Sequence, residues 1–184
     1  MSIPSRRRQC GLTLIELVMF IIIVGIAVTG VLLVMNVVSQ HSADPMLQRQ
    51  AQAIAEALLE EIQLQPSTYC DPDDANAATA TSAAGCATTP ETLNPEPGET
   101  RFTSPQFDNV NDYNGYSMSP IVDITNTAVA GLGGYTASVA ITQDGAAFGL
   151  AADAVLRIDV RAQSGTTDIT VTGYRFRYAP NAVP

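Results

Sequence analysis

The sequence "GLTLIELVMF" (11–20) places one acid, Glu16, at the head of an aliphatic run. A charged group within a bilayer costs at least about 2.5–3.5 kcal/mol, so this carboxylate calls for a cationic partner. Other residues able to do chemistry are few. His41 is the sole histidine, and no Ser-His-Asp, Cys-His or metal-ligand cluster can be assembled around it. Neither catalysis nor a cofactor is therefore expected. "CDPDDAN" offers Asp71, Asp73 and Asp74, and "FDNVNDYNG" (107–115) offers Asp108, Asn111, Asp112 and Asn114 with Gly115. These are hard oxygen ligands of the kind calcium takes. Neither run reproduces an EF-hand loop, which needs a bidentate acid at a fixed final position. A solvated acidic loop is the plainer reading of the first. The second reads as a turn-rich connection that Phe107, Tyr113 and Tyr116 pin to a sheet.

These residues are carried by a chain with an uneven charge distribution. All nine basic residues are arginines, against eighteen acids, for a net −9. That balance argues against nucleic-acid binding, which needs clustered positive charge. Arg6, Arg7 and Arg8 precede the apolar run; without them six basic residues face eighteen acids, a net −12. From Leu17 to Met35, nineteen residues pass with Thr29 as the only polar side chain. As a helix this run covers roughly 28 Å, close to a hydrocarbon core of about 30 Å. Gly25 and Gly30 are compatible with a membrane span or a close helix contact. A buried helix of a soluble core is the alternative. Arginines on the N-terminal flank only would keep the N-terminus in the cytoplasm and export Ser39 onward.

Cys10 falls in the basic leader, whereas Cys70 and Cys86 bracket a loop of small and polar residues in the exported part. Such a loop cannot order itself by apolar burial. A disulfide closing it would contribute about 3 kcal/mol by loop entropy in an oxidising compartment. Two free thiols is the alternative.

Asp44 suits an N-cap and Pro45 a first helical position. Leu47, Ala51, Ile54, Leu58 and Ile62 then recur at helical spacing, with Met46 and Leu59 widening the stripe, until Pro66. Leu12 to Gln65 reads as one long helix, broken or kinked before Pro45, greasy in its first half and amphipathic in its second. No regular structure is expected over most of 67–100, which follows Pro66 and holds Pro72, Pro90, Pro95 and Pro97. Strands are expected at 115–125, 134–144, 154–163 and 167–180, with a hairpin turn at "QSGTT" (163–167). In the last strand, Ile169, Val171, Gly173, Arg175 and Arg177 share one face. The fold class is α+β: a long N-terminal helix whose amphipathic half packs on an antiparallel sheet.

"G-LTLIEL" after a short basic leader, followed by an apolar helix running into an amphipathic one, resembles a type IV prepilin. The resemblance covers residues 1–65 most strongly. It implies a leader at 1–11, a transmembrane assembly helix at 12–38, an amphipathic helix at 39–66 and an exported β domain with a disulfide loop at 67–184. A prepilin peptidase would cut between Gly11 and Leu12 and N-methylate Leu12, which stands where phenylalanine is usual. Gly11 suits a peptidase that must hold the backbone extended and close. The partners implied are that peptidase, other pilin subunits, the inner-membrane assembly platform and the bilayer.

Glu16 would meet the α-amine of a neighbouring Leu12, with Thr13 adding a backbone-directed hydroxyl; an acid simply resting at headgroup level is the alternative. "ADPMLQRQAQAIAEALLEEI" and "FDNVNDYNGYS" (107–117) further resemble the mannose-sensitive haemagglutinin (MSHA) minor pilins, the MshD-like group. Pseudopilins of type II secretion share the N-terminal design. A pilus-borne adhesin or DNA-uptake subunit is another reading, the latter needing an arginine patch such as Arg157, Arg161, Arg175 and Arg177. A secreted enzyme behind a cleavable signal is the rival of a different class. Its apolar core would be about 7–15 residues long, shorter than this run.

Overall fold

The computed structural model describes residues 13–41 and 44–183, except for the side chains at 38–41 and 44. Gly11 and Leu12 lie outside the described residues, as does the side chain of the expected cap Asp44. The chain divides into two units, Met1–Pro45 and Met46–Pro184.

In the first unit, helix α1 runs Leu14–His41. Within it Leu14–Val37 has a mean hydropathy of 3.1, long and apolar enough to cross a membrane, and its most apolar stretch has none of its residues buried. The helix starts where Thr13 caps it. Thr13 Oγ1 accepts the Glu16 N–H at 3.4 Å, and the Thr13 carbonyl accepts the Leu17 N–H at 3.2 Å. Thr-x-x-Glu is the spacing of a capping box, in which a hydroxyl satisfies an N–H that the helix itself cannot. Further along, the Thr29 hydroxyl donates to the Gly25 carbonyl at 2.5 Å. That internal bond removes the need for an external partner in an apolar setting.

The helix expected to break or kink before Pro45 forms as two segments, with α2 beginning at Asp44 and running to Leu64. Pro45 has no N–H to donate and disfavours helical backbone at the residue before it. Four antiparallel strands follow in the order β1-β2-β3-β4: β1 (Ser117–Met118), β2 (Thr136–Gln143), β3 (Val155–Ser164) and β4 (Thr167–Phe176). This is an α+β, pilin-like arrangement. β3 and β4 form a hairpin in which Ser164 pairs with Thr167 and Gly165 has φ +57°. A two-residue hairpin loop favours glycine at a positive-φ first position.

The core of the second unit lies between α2 and one face of this sheet. Ala51, Ile54, Ala55, Leu58, Leu59 and Ile62 pack with Ala137, Val139 and Ile141 of β2 and Leu156, Ile158, Val160 and Ala162 of β3. Each such Leu, Ile or Val side chain contributes about 1.5–3 kcal/mol on full burial. Gly173 sets how closely α2 approaches β4. A Cβ there would lie 2.8 Å from Leu59 Cδ1 and 2.5 Å from Gln63 Nε2.

Several boundaries differ from expectation. β1 is two residues long rather than spanning 115–125, because Pro120 has no N–H for the ladder and Asp123 folds the chain into a turn. The other expected strands form with shifted ends: β2 is shorter at both ends, β3 is displaced by one residue, and β4 stops at Phe176 rather than 180. Met46 does not widen the buried stripe; it is 64% exposed. The flanking residues Gln50, Ala53 and Ala57 line an open, largely apolar groove of about 420 Å³ beside Met118, Ile121 and Leu132.

Candidate functional site

Two regions carry the residues singled out by sequence. The first is the start of α1. Glu16 lies exposed in its first turn, three residues after the capping Thr13, and no basic side chain is paired with it among the described residues.

The second region gathers loops at one end of the sheet. Cys70 and Cys86 form the expected disulfide, with Cα atoms 5.5 Å apart. Beside it, residues 69–71 pair with 89–91: the Asp71 N–H donates to the Thr89 carbonyl at 3.1 Å and the Glu91 N–H to the Tyr69 carbonyl at 3.0 Å. The loop between the cysteines has no strand and one short 3-10 turn, Ala83–Gly85. It is organised by Asp74. One oxygen of that carboxylate accepts the N–H groups of Asn76 and Ala87, and the other those of Thr88 and Thr89 plus the Thr88 hydroxyl. These N–H groups, Thr89's foremost, hold its pKa below the usual carboxylate range. Asp74 is therefore spent on the backbone and does not join the carboxylates that come together.

Those that do are seven: Asp71, Asp73, Glu91, Glu96, Glu99, Asp108 and Asp112. They form three overlapping triads, Glu91–Glu96–Asp112, Asp71–Glu96–Glu99 and Asp71–Asp73–Asp108, each with ligand oxygens within 4.8 Å of one another. Two of the calcium candidates expected in the first run, Asp71 and Asp73, thus meet Asp108 from the second. Asp112 is fixed from below. Its Oδ2 accepts the N–H groups of Asp108 at 3.0 Å and Asn109 at 2.7 Å, capping a buried 3-10 turn at Val110–Tyr113. Asn109 Nδ2 reaches Thr68 at 2.7 Å and the Val110 N–H donates to the Pro66 carbonyl at 3.0 Å, tying this turn to the end of α2.

Burial and mutual repulsion raise the acids. Desolvation, then the neighbouring Asp112 and Glu96, pushes Glu91 up to about 9. Burial is also the first cause for Glu99, at about 8, Asp112, at about 7, and Asp108, at about 6. Glu96 shifts upward too.

Asn114 does not belong to this group. Its Oδ1 accepts the Ile141 N–H at 2.8 Å and its Nδ2 donates to the Leu93 carbonyl at 2.7 Å, which docks the connection on β2. Phe107, Tyr113 and Tyr116 pack edge to face at 5.0–6.2 Å, as a turn-rich connection pinned to the sheet requires. Glu91, Glu96 and Glu99 were not expected here. "PETLNPEPGET" carries no periodicity, and only its acid content beside a cysteine pair hinted at them.

The four arginines considered as a patch do not assemble into one. Arg157, Arg161 and Arg177 pair with Asp159, Asp168 and Asp153, while Arg175 donates to the Gln65 carbonyl at 3.0 Å.

Residues 6–32 match the prokaryotic N-terminal methylation motif. This is the type IV pilin signal. It supports a type IV pilin or pseudopilin subunit, from a family that is structural rather than catalytic, and with the apolar α1 it fits a membrane-anchored pilin. The motif implies processing by a prepilin peptidase and assembly with other pilins. No curated protein and no solved structure matches the chain.

Proposed function

We propose that the chain is a minor pilin of a type IV pilus, of the MSHA kind, cut between Gly11 and Leu12, N-methylated on Leu12 and incorporated through α1. The observation that carries this reading is a 24-residue apolar span with its most apolar stretch unburied, headed by Thr13 and a single acid and overlapping the methylation motif. The α-amine freed on Leu12 lies four positions ahead of Glu16. In a growing filament Glu16 accepts the amine of the adjacent subunit, which sets register as the helix leaves the bilayer. The leader arginines hold the N-terminus in the cytoplasm, and the domain from Met46 is exported.

The test is Glu16→Ala expressed in a strain lacking the native chain. Leader cleavage proceeds, and the variant is depleted at least about tenfold from sheared fibres, the loss expected when a charged pair worth about 1.4 kcal/mol or more is removed. Wild-type incorporation would refute the role. Measuring pilus assembly and protein secretion in the deletion strain decides between pilus and secretion pseudopilus, because a secretion defect with intact pili assigns the chain to the latter.

A further inference from the structure

The acidic loops hold a second feature that assembly does not use. Among the described residues, buried oxygen atoms without any hydrogen-bond donor concentrate here: both carboxylate oxygens of Glu91, and Oδ1 of Asp108, Asn109, Asn111 and Asp112. All are acceptors. Asn111 is 3% exposed and Asp112 1%, so water does not serve them freely from bulk. The Asn111 side chain lies against the Glu91 carboxyl beside the triad Glu91–Glu96–Asp112, and its buried Oδ1 has no donor. Arginine does not neutralise the site either. The ion pairs among the described residues use Glu61, Asp153, Asp159 and Asp168, none of which belongs to the seven carboxylates. Buried acceptors crowded together without donors are costly unless a cation or protons fill the space between them.

We infer that the protein binds a calcium ion between Glu91, Glu96 and Asp112, with the Asn111 amide oxygen as a neutral ligand. The donor set is all hard oxygen, mixing carboxylates with an amide, and comes from loops rather than a rigid helix pair. That suits calcium, which accepts six to eight oxygens in adaptable geometry, better than magnesium, which retains its waters in a strict octahedron. The scaffold is independently fastened by the Cys70–Cys86 bridge, the 69–71/89–91 pairing and the capped turn at Val110–Tyr113. Asp71, Asp73, Glu99 and Asp108 surround the triad and add negative potential without having to ligate. The alternative filling is protons alone, and it predicts no calcium response.

The test uses the full chain in detergent, stripped with EDTA and titrated with calcium chloride by calorimetry, with the thermal midpoint followed by circular dichroism. Saturable binding of about one ion is expected, in or below the roughly 10⁻⁴–10⁻³ M range of extracellular modules, with a rise in midpoint. Glu91→Gln is isosteric and strands no donor. It should match or exceed the wild-type midpoint in EDTA while losing at least about tenfold in calcium affinity, as a removed charged ligand would. Glu96→Gln serves as a second variant should the first fail to fold, and Asp123→Asn, outside the cluster, should respond like wild type. The inference is overturned if calcium neither binds nor raises the midpoint, if both glutamine variants respond like wild type, or if magnesium gives the same response.

Discussion

Arg101→Met isolates a contact that ties the acidic loops to α2. Arg101 lies forty residues beyond Glu61, yet Nε donates to Oε1 at 2.7 Å and Nη2 to Oε2 at 2.6 Å. The arginine side chain is only 5% exposed and the glutamate's 21%. Glu61 also accepts the Tyr113 hydroxyl at 2.9 Å, and the guanidinium stacks on Phe102 and Tyr116 at 5.0 and 5.6 Å. Methionine keeps the aliphatic stem and removes the charge, so the loss falls on the stranded carboxylate. Breaking a fully buried pair costs about 3–5 kcal/mol. Water reaches Glu61 at its exposed fifth and Tyr113 remains, which brings the expected loss to about 2–3 kcal/mol. For a domain of this size that lowers the thermal midpoint by roughly 6–12 °C. Urea denaturation by circular dichroism at fixed calcium gives the free energy directly. Adding Glu61→Gln to Arg101→Met should recover more than half the loss, since no charge is then left behind. A loss under about 0.5 kcal/mol, the range of exposed pairs, would refute the reasoning, as would a double variant no better than the single one.

Replacing Cys70 and Cys86 by serine should cost about 3 kcal/mol by loop entropy, measured by the same denaturation against oxidised wild type; an unchanged midpoint would mean the Asp74 network alone orders the loop. Gly11→Val should block leader cleavage, seen as a retained higher-mass band on immunoblot, and normal maturation would count against Gly11 as the processing residue. In EDTA, stability should fall as pH rises. Glu91, Glu99, Asp112 and Asp108 have folded pKa values of about 9, 8, 7 and 6, above their unfolded values of 4.5 for Glu and 3.8 for Asp. The folded state therefore holds protons more tightly, and this contribution is complete below about pH 4 and lost by about pH 9. Asp74 and Asp168, with lowered values, act oppositely and weaken the fold only on acidification through their folded values. Thermal midpoints from pH 4.5 to 9 should decline in EDTA and flatten in calcium; a steady rise in EDTA would contradict the burial of Glu91.

Periodic segments were legible because the physics that forms them is local. Leu47 to Ile62 repeats at helical spacing, and those residues meet the sheet; "QSGTT" turns where a glycine allows it. β1 was overestimated because alternation in "GYSMSPIVDIT" outweighed the missing N–H of Pro120. The acidic centre was half visible. Asp71, Asp73, Asp108, Asn111 and Asp112 stood out as oxygen donors, but their convergence depends on how three irregular loops pack. Glu91 and Glu96 could be placed only once the 69–71/89–91 pairing was known. Asp74 shows the opposite error. It has the composition of a ligand, yet four backbone N–H groups and a hydroxyl already occupy it. Arg101 and Glu61 meet across a separation that no sequence pattern encodes.

The division of labour within the chain constrains the assembly reading. The unit from Met46 carries its own core, with Ile62, Ile158 and Val160 fully enclosed, whereas the most apolar stretch of Leu14–Val37 has nothing buried. On the proposed reading, lipid and then neighbouring helices cover that surface. Moving an aliphatic helix from lipid to a bundle of similar helices changes its apolar environment little, so hydrophobicity by itself gives no preference for the filament. Close packing at Gly25 and Gly30 can favour the bundle, since apart from the adjoining residues and the helix's own backbone nothing described lies within 4 Å of where their side chains would begin. It does not set which turn of one helix meets which turn of the next. Thr29 cannot do so either, because its hydroxyl is satisfied by the Gly25 carbonyl of its own helix. Glu16 is the one charge in the described span that is left to choose a position. On the proposed reading, register therefore rests on Glu16 and the amine it meets, while the apolar surface supplies affinity without direction.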